Sequence, residues 1–107
     1  MIPAYKITKI KVTTDNNPQY HHISEVFCHW VEASIQKPVN GWLLRQDVAE
    51  QIYKGQATAT VTVDGITVNV ITEKWTNGNI YLKTMPDYTK KDNLLNLPTY
   101  YNDKLLN

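Results

Sequence analysis

One four-residue stretch fixes strand pairing before anything else in the chain is considered: Val63-Asp64-Gly65-Ile66. An Asp-Gly pair between alternating apolar residues signals a two-residue hairpin loop, because both central residues must adopt positive φ to match the twist of the flanking strands. In that register Val63 opposes Ile66, Val61 opposes Val68 and Ala59 opposes Val70. All six are apolar and share one face, whereas Thr58, Thr60, Thr62, Thr67 and Asn69 share the other. Each cross-strand pair contributes ~0.2–1 kcal/mol, and a slip of one residue would turn the whole apolar set into water. A chain with this hairpin builds a sheet that has one face to cover.

The flanking segments extend that sheet. Tyr5 to Thr13 reads as a strand in which Ile7 lies on one parity and Ile10 and Val12 on the other, which predicts a bulge between them. Asp15-Asn16-Asn17-Pro18 is a turn, and Tyr20 to Val31 reads as a second strand, antiparallel to the first. Ile23, Phe27 and Val31 fall on one of its faces and Val26, Cys28 and Trp30 on the other, so both faces are expected to be covered towards its end. Ser34 to Gly41 reads as a loop, and Trp42, Leu43 and Leu44 bring the chain back to the core. Arg45 to Lys54 is a short helix with Val48 and Ile52 on one side, and Gly55 stands where a left-handed cap is wanted.

A second turn signal, Asn77-Gly78, pairs Trp75 with Ile80 and Glu73 with Leu82. That register breaks the face pattern, and calls for a bulge near Thr72 to Lys74 or for separate packing of the ribbon's far end. The closely spaced Leu94, Leu95 and Leu97 fold back onto the core with at least two of them buried. Residues 99–107 form a tail that docks weakly or frays, and its removal is expected to matter little.

Length bounds the rest. With 107 residues the chain is one domain, placed at 5–98 before the tail. The lone Cys28 has no intramolecular partner for a disulfide, and no segment has the length of a signal peptide core or a membrane span. A cytoplasmic location is the expectation, with no membrane contact. Eleven basic residues against ten acidic ones leave a net charge of +1, too little for long-range attraction to polyanions.

The C-terminal third carries a more particular pattern. A strand ends in Leu82, Thr84, Pro86 and Asp87, a polar spacer follows, and Asp92, Asn93, Leu94, Leu95, Leu97 and Pro98 close it. In this the chain resembles the domain-of-unknown-function family numbered 3892, over about residues 5–98 and most strongly over 79–98. The loop from Glu32 to Asn40 is longer than the family pattern, and the tail is an addition. The resemblance implies a small bacterial or phage domain and brings no activity, cofactor or catalytic residue with it.

The candidate chemistries are few. His21, His22, Cys28 and His29 have metal-ligating side chains, but along a strand His21 and His29 stand roughly 26 Å apart and His22 and Cys28 roughly 20 Å, too far for one tetrahedral ion. Cys28 as a nucleophile would need a base within reach, and His29 points to the opposite face. Asp87, Asp92 and Asn93 are the one polar group near the terminal pattern, and Asp and Asn in such turns commonly bond to backbone N–H groups. A nucleic-acid surface needs lysines interleaved with aromatics, and Lys83, Lys90 and Lys91 with Tyr81 and Tyr88 make only a thin version of it, so nucleic acid is not an expected partner.

These observations predict an α+β domain: a mainly antiparallel sheet of about five strands with one short helix packed on one face. The expected function is a non-enzymatic binding or protein-interaction module, with no catalytic residue, metal or cofactor. The alternative is a small-ligand-binding or catalytic protein built round Asp87, Asp92 and Asn93. A concave pocket lined by those three residues would favour the ligand. A flat patch of tyrosine and tryptophan would favour a protein partner.

Overall fold

The computed structural model describes residues 2–84 and 93–106. In chain order the described elements are β1 (Ala4–Val12), a 3₁₀ turn (Tyr20–His22), β2 (Ile23–Glu32), β3 (Lys37–Leu44), α1 (Arg45–Tyr53), β4 (Thr58–Val63), β5 (Ile66–Lys74) and β6 (Ile80–Thr84). A second 3₁₀ turn (Asn93–Asn96) is followed by β7 (Thr99–Tyr101) and β8 (Lys104–Leu105). The strands form one sheet in the order β3-β2-β1-β4-β5-β6, with β7 paired to β1 and β8 paired to β7.

Among the described residues the α+β class and a single short helix stand, but the sheet has eight strands and is mixed. Strand β1 accounts for most of the difference. One of its edges pairs antiparallel with β2 along its length. Its other edge is shared: Ala4 to Ile7 run parallel to Thr58–Val61 of β4, and Ile10 and Lys11 run parallel to Thr99 and Tyr100 of β7. Parallel pairing needs a long crossover. Here that crossover comprises β2, β3 and α1, a relation between distant segments that local patterns do not carry.

Two bulges set which side chains go inside. Thr8 is the extra residue between the pairs Ile7–Cys28 and Lys9–Phe27, so Ile7 and Ile10 both point inwards, as the parity change in β1 requires. Ser24 is the extra residue between Lys11–Glu25 and Val12–Ile23. It turns Ile23 inwards to join Val26 and Cys28, all three fully buried. Phe27 and Val31 remain on the opposite face, where Val31 is exposed and Phe27 half-buried. Among the described residues nothing covers that second face of β2, contrary to the expectation that both sides are covered.

The stretch expected to be a loop, 34–41, is mostly strand. Lys37 to Leu44 pair with Glu25 to Glu32 without a break. Eight consecutive pairings outweigh the turn preference of Pro38-Val39-Asn40-Gly41, and Pro38 is tolerated because β3 is an edge strand. Helix α1 follows directly. No side chain caps its N-terminus. At its C-terminus Gly55, with φ +72, donates to the Ile52 carbonyl at 3.0 Å, and Gln56 donates to the Gln51 carbonyl at 2.7 Å. This left-handed closure is the one the glycine predicted.

The Asp64-Gly65 hairpin has the expected register, with Val63 opposite Ile66 and Val61 opposite Val68. Both turn residues have positive φ, +53 and +79. The second hairpin differs by one residue. Lys74 pairs with Ile80 and Thr72 with Leu82, leaving a five-residue loop, Trp75 to Asn79, closed by the Trp75 N–H on the Asn79 carbonyl at 2.9 Å. Shifting the register by one puts Ile80 and Leu82 on the same face as Val70, and all three are buried. The face conflict disappears without a bulge at Thr72 to Lys74.

The core lies between the inner face of the sheet, α1 and the second 3₁₀ turn. Ile7, Ile10, Ile23, Val26, Val61 and Leu82 from the strands meet Val48 and Ala49 of the helix and Leu94 of the turn. Leu97 is buried as well and Leu95 half-buried, so two of the three leucines close the core as expected. The segment set apart in sequence as a tail supplies β7 and β8. Thr99 is buried, and the Ile10 N–H donates to the Pro98 carbonyl at 3.0 Å. No described helix is long and apolar enough to cross a membrane.

Candidate functional site

Of the three polar residues singled out in sequence, Asp87 and Asp92 lie outside the described residues. Asn93 is buried, and its N–H donates to the Thr84 hydroxyl at 3.0 Å, fastening the second 3₁₀ turn to the end of β6. The histidines and the cysteine are dispersed. Cys28 is fully buried on the inner face, and burial pushes its thiol up to about 12. A thiol held neutral in this way is a small apolar side chain rather than a nucleophile. His29, next in sequence, is exposed on the outer face. His21 and His22 belong to the first 3₁₀ turn, with ring centroids 4.1 Å apart, and the Nδ1 of His22 accepts from the Gln19 N–H at 2.9 Å.

Two aromatic clusters stand out. The first joins the first 3₁₀ turn to β5, β6 and α1. The His21 ring lies 5.3 Å from Trp75, Trp75 lies 4.6 Å from Tyr81, and the Arg45 guanidinium sits 4.5 Å over the Tyr81 ring. Arg45 also donates to the carbonyls of Ile23, at 3.2 Å, and Ile80, tying β2 to β6. The Tyr20 hydroxyl donates to Glu73. That bond, with Trp75 and the Lys83 charge, holds the Glu73 carboxyl below its ordinary range. Tyr81 is buried, and Arg45, Tyr20 and Glu73 are all engaged within the cluster, so this is a clamp between elements.

The second cluster lies on the open face, opposite α1. The two bulges aim Lys9, Lys11 and Phe27 outwards, the β2–β3 register sets Trp42 beside Phe27, and the β1–β7 register sets Tyr100 beside Lys11. The Phe27 and Trp42 rings are 5.3 Å apart, and the indole reaches across to Tyr100 at 5.9 Å. Lys9 is 4.8 Å over the Phe27 ring and Lys11 4.5 Å over the Trp42 ring. Such cation–π contacts are worth about 0.5–1 kcal/mol at exposed sites. Lys11 also meets Glu25 at 3.4 Å. A shallow cleft of about 210 Å³ opens among Lys9, Lys11, Trp42, Tyr100 and Asp103. All three rings are half-buried, and no described element covers them.

Sequence reasoning missed this face. Its signal was present in the alternation of Lys9 and Lys11 with Ile10 and Val12, and of Phe27 and His29 with Val26 and Cys28. Trp42 and Tyr100 do not join it in sequence, because one reads as returning the chain to the core and the other as part of a tail.

Comparison with known proteins agrees with the terminal pattern. No curated protein and no solved structure matches the chain. The sequence model of a family described as a protein of unknown function, DUF3892, matches residues 6–98. That span runs from the third residue of β1 past the second 3₁₀ turn and includes Lys9, Lys11, Phe27 and Trp42, while Tyr100 falls just beyond it. The chain belongs to the DUF3892 family of proteins of unknown function.

Proposed function

We propose that this protein is a non-enzymatic binding module that presents the open face of its sheet to a partner. The observation that carries this reading is the row of Lys9, Lys11, Phe27, Trp42 and Tyr100 on the side away from the helix, which no described element covers. Aromatic side chains with a limited loss of rotamer freedom are the usual anchors of recognition surfaces, and a rigid sheet holds them in place before the partner arrives. The edge strand β3 begins with Lys37-Pro38, and lysine and proline on an edge both discourage pairing with another strand. The face, rather than the edge, is the surface on offer.

The test is affinity capture from an extract of the native host, with proteins and nucleic acids in the eluate both identified. Wild-type protein is compared with a Phe27→Ala, Trp42→Ala double variant and with Asp87→Asn, all checked for a folded circular dichroism spectrum. The reading expects whatever wild type enriches to be lost in the double variant and kept by Asp87→Asn. The reverse pattern would move the function to a polar loop site round Asp87, Asp92 and Asn93.

A further inference from the structure

We infer that the partner of the open face is a single-stranded nucleic acid, an inference that rests on the reading of that face as a binding surface. The argument is the position of the lysines. In protein–protein interfaces charged residues, lysine above all, are depleted from the centre and confined to the rim. Here the order is inverted. Lys9 and Lys11, on β1, stand in the middle of the patch, with Phe27 and Trp42 rooted on one side and Tyr100 on the other, and their ammonium groups lie over the Phe27 and Trp42 rings. A partner that meets such a surface must bring negative charge and flat rings together, repeated at short intervals. The phosphates and bases of an unpaired strand do so.

The local charge agrees, although the whole chain is nearly neutral. Lys6, Lys9 and Lys11 point outwards along β1, which carries no acidic residue. Lys11 is held by Glu25 at 3.4 Å, and Asp103 lines the cleft. Among the described residues Lys9 has no acidic partner in ion-pair range. The contacts that park both ammonium groups over rings are weak in water, so each can exchange its ring for a phosphate and leave the ring face to a base. A duplex offers its phosphates but keeps its bases stacked, so the rings would gain nothing from it. The proposal therefore predicts a preference for the unpaired strand and a dependence on both kinds of side chain.

The experiment titrates the full chain into fluorescein-labelled oligothymidylate and oligouridylate of about twelve nucleotides, within the range of site sizes known for single-strand-binding domains. A duplex of equal length is the control. Binding in the micromolar range at about 50 mM salt, weakened steeply by about 200 mM salt, is the expected result. Trp42→Ala should weaken it about 5- to 150-fold, the range for loss of one stacked base. Lys9→Gln with Lys11→Gln should lower the salt slope by about one to two, and this second variant spares the rings should Trp42→Ala fold poorly. Comparison of the two probes assigns the strand as DNA or RNA. Equal affinity for duplex and single strand, or affinity indifferent to Trp42 and to both lysines, would overturn the proposal. So would no binding at about 100 µM protein. If the oligonucleotides fail to bind while capture from extract is still lost in the Phe27→Ala, Trp42→Ala variant, the partner is a protein and the binding-module reading survives alone.

Discussion

The two faces of this sheet alternate along the same strands, yet they follow opposite rules. On the inner face Ile7, Ile10, Val26, Val61 and Leu82 are sealed under α1 and the leucine turn. On the outer face Lys9, Lys11, Phe27, Trp42 and Tyr100 touch one another and no described element lies over them. The inner face is apolar and branched, because close packing rewards shape and tolerates no charge. The outer one mixes long cations with rings, which pack partially and keep their charged ends in water. The contrast separates what holds this molecule together from what it offers to others, and it can be pressed with measurements of decreasing size.

The largest effect belongs to the inner face. Leu94 is fully buried in the turn that closes the core, so Leu94→Ala is expected to cost about 2–5 kcal/mol, measured from the denaturant midpoint. A loss below about 1 kcal/mol would mean that the leucine turn is an accessory and the core closes without it.

Deleting residues 99–107 comes next, and it touches both faces. It removes β7 and β8, with the partly buried Tyr101 and Leu106 that pack against the core and the outward Tyr100. Partial burial of two such side chains is worth about 2–3 kcal/mol. The sequence alone predicts little effect from this deletion. An unchanged melting temperature would restore that expectation and dissociate Tyr100 from the platform.

A pH titration tests the dryness of the inner face. Burial pushes the Cys28 thiol up to about 12, from an ordinary thiol value of 9.0. The folded protein therefore holds its proton over a window in which the unfolded chain has lost it, and stability falls as pH rises through that window. Between pH 7 and pH 10 the loss due to this group amounts to about 1–2 kcal/mol. The difference in stability between wild type and Cys28→Ala should shrink by that amount over the same interval. A constant difference would place the thiol in contact with water.

The smallest effect on stability is expected on the outer face. Trp42→Ala removes two edge-on ring contacts and one lysine contact from a half-buried site, a cost of about 1 kcal/mol. If it rivalled Leu94→Ala, the outer cluster would be a second core and its claim as a binding surface would fall.

Much of the frame was legible before the fold was known. The Asp64-Gly65 turn, the parity change in β1, the short helix closed by Gly55 and the buried leucines all depend on relations within a dozen residues, where backbone conformation and side-chain alternation act directly. The miss at the second hairpin was also local. The Asn-Gly pair was found, but the loop holds five residues, and one residue is enough to exchange the faces.

What the sequence by itself determined, then, was a sheet with an apolar side, a helix to cover it and a leucine closure, because burial of apolar surface imposes a period that can be counted. Tertiary structure alone decided that β1 would be shared between β4 and β7, that residues 37–44 would become an edge strand, and that Thr99 to Tyr101 would join the sheet. Those decisions join segments up to about ninety residues apart, where loop-closure cost grows so slowly with length that spacing gives no guide to partners. The open face is a product of the same decisions. Lys9, Phe27, Trp42 and Tyr100 come from four separate strands, and only the order of those strands in space makes one surface of them.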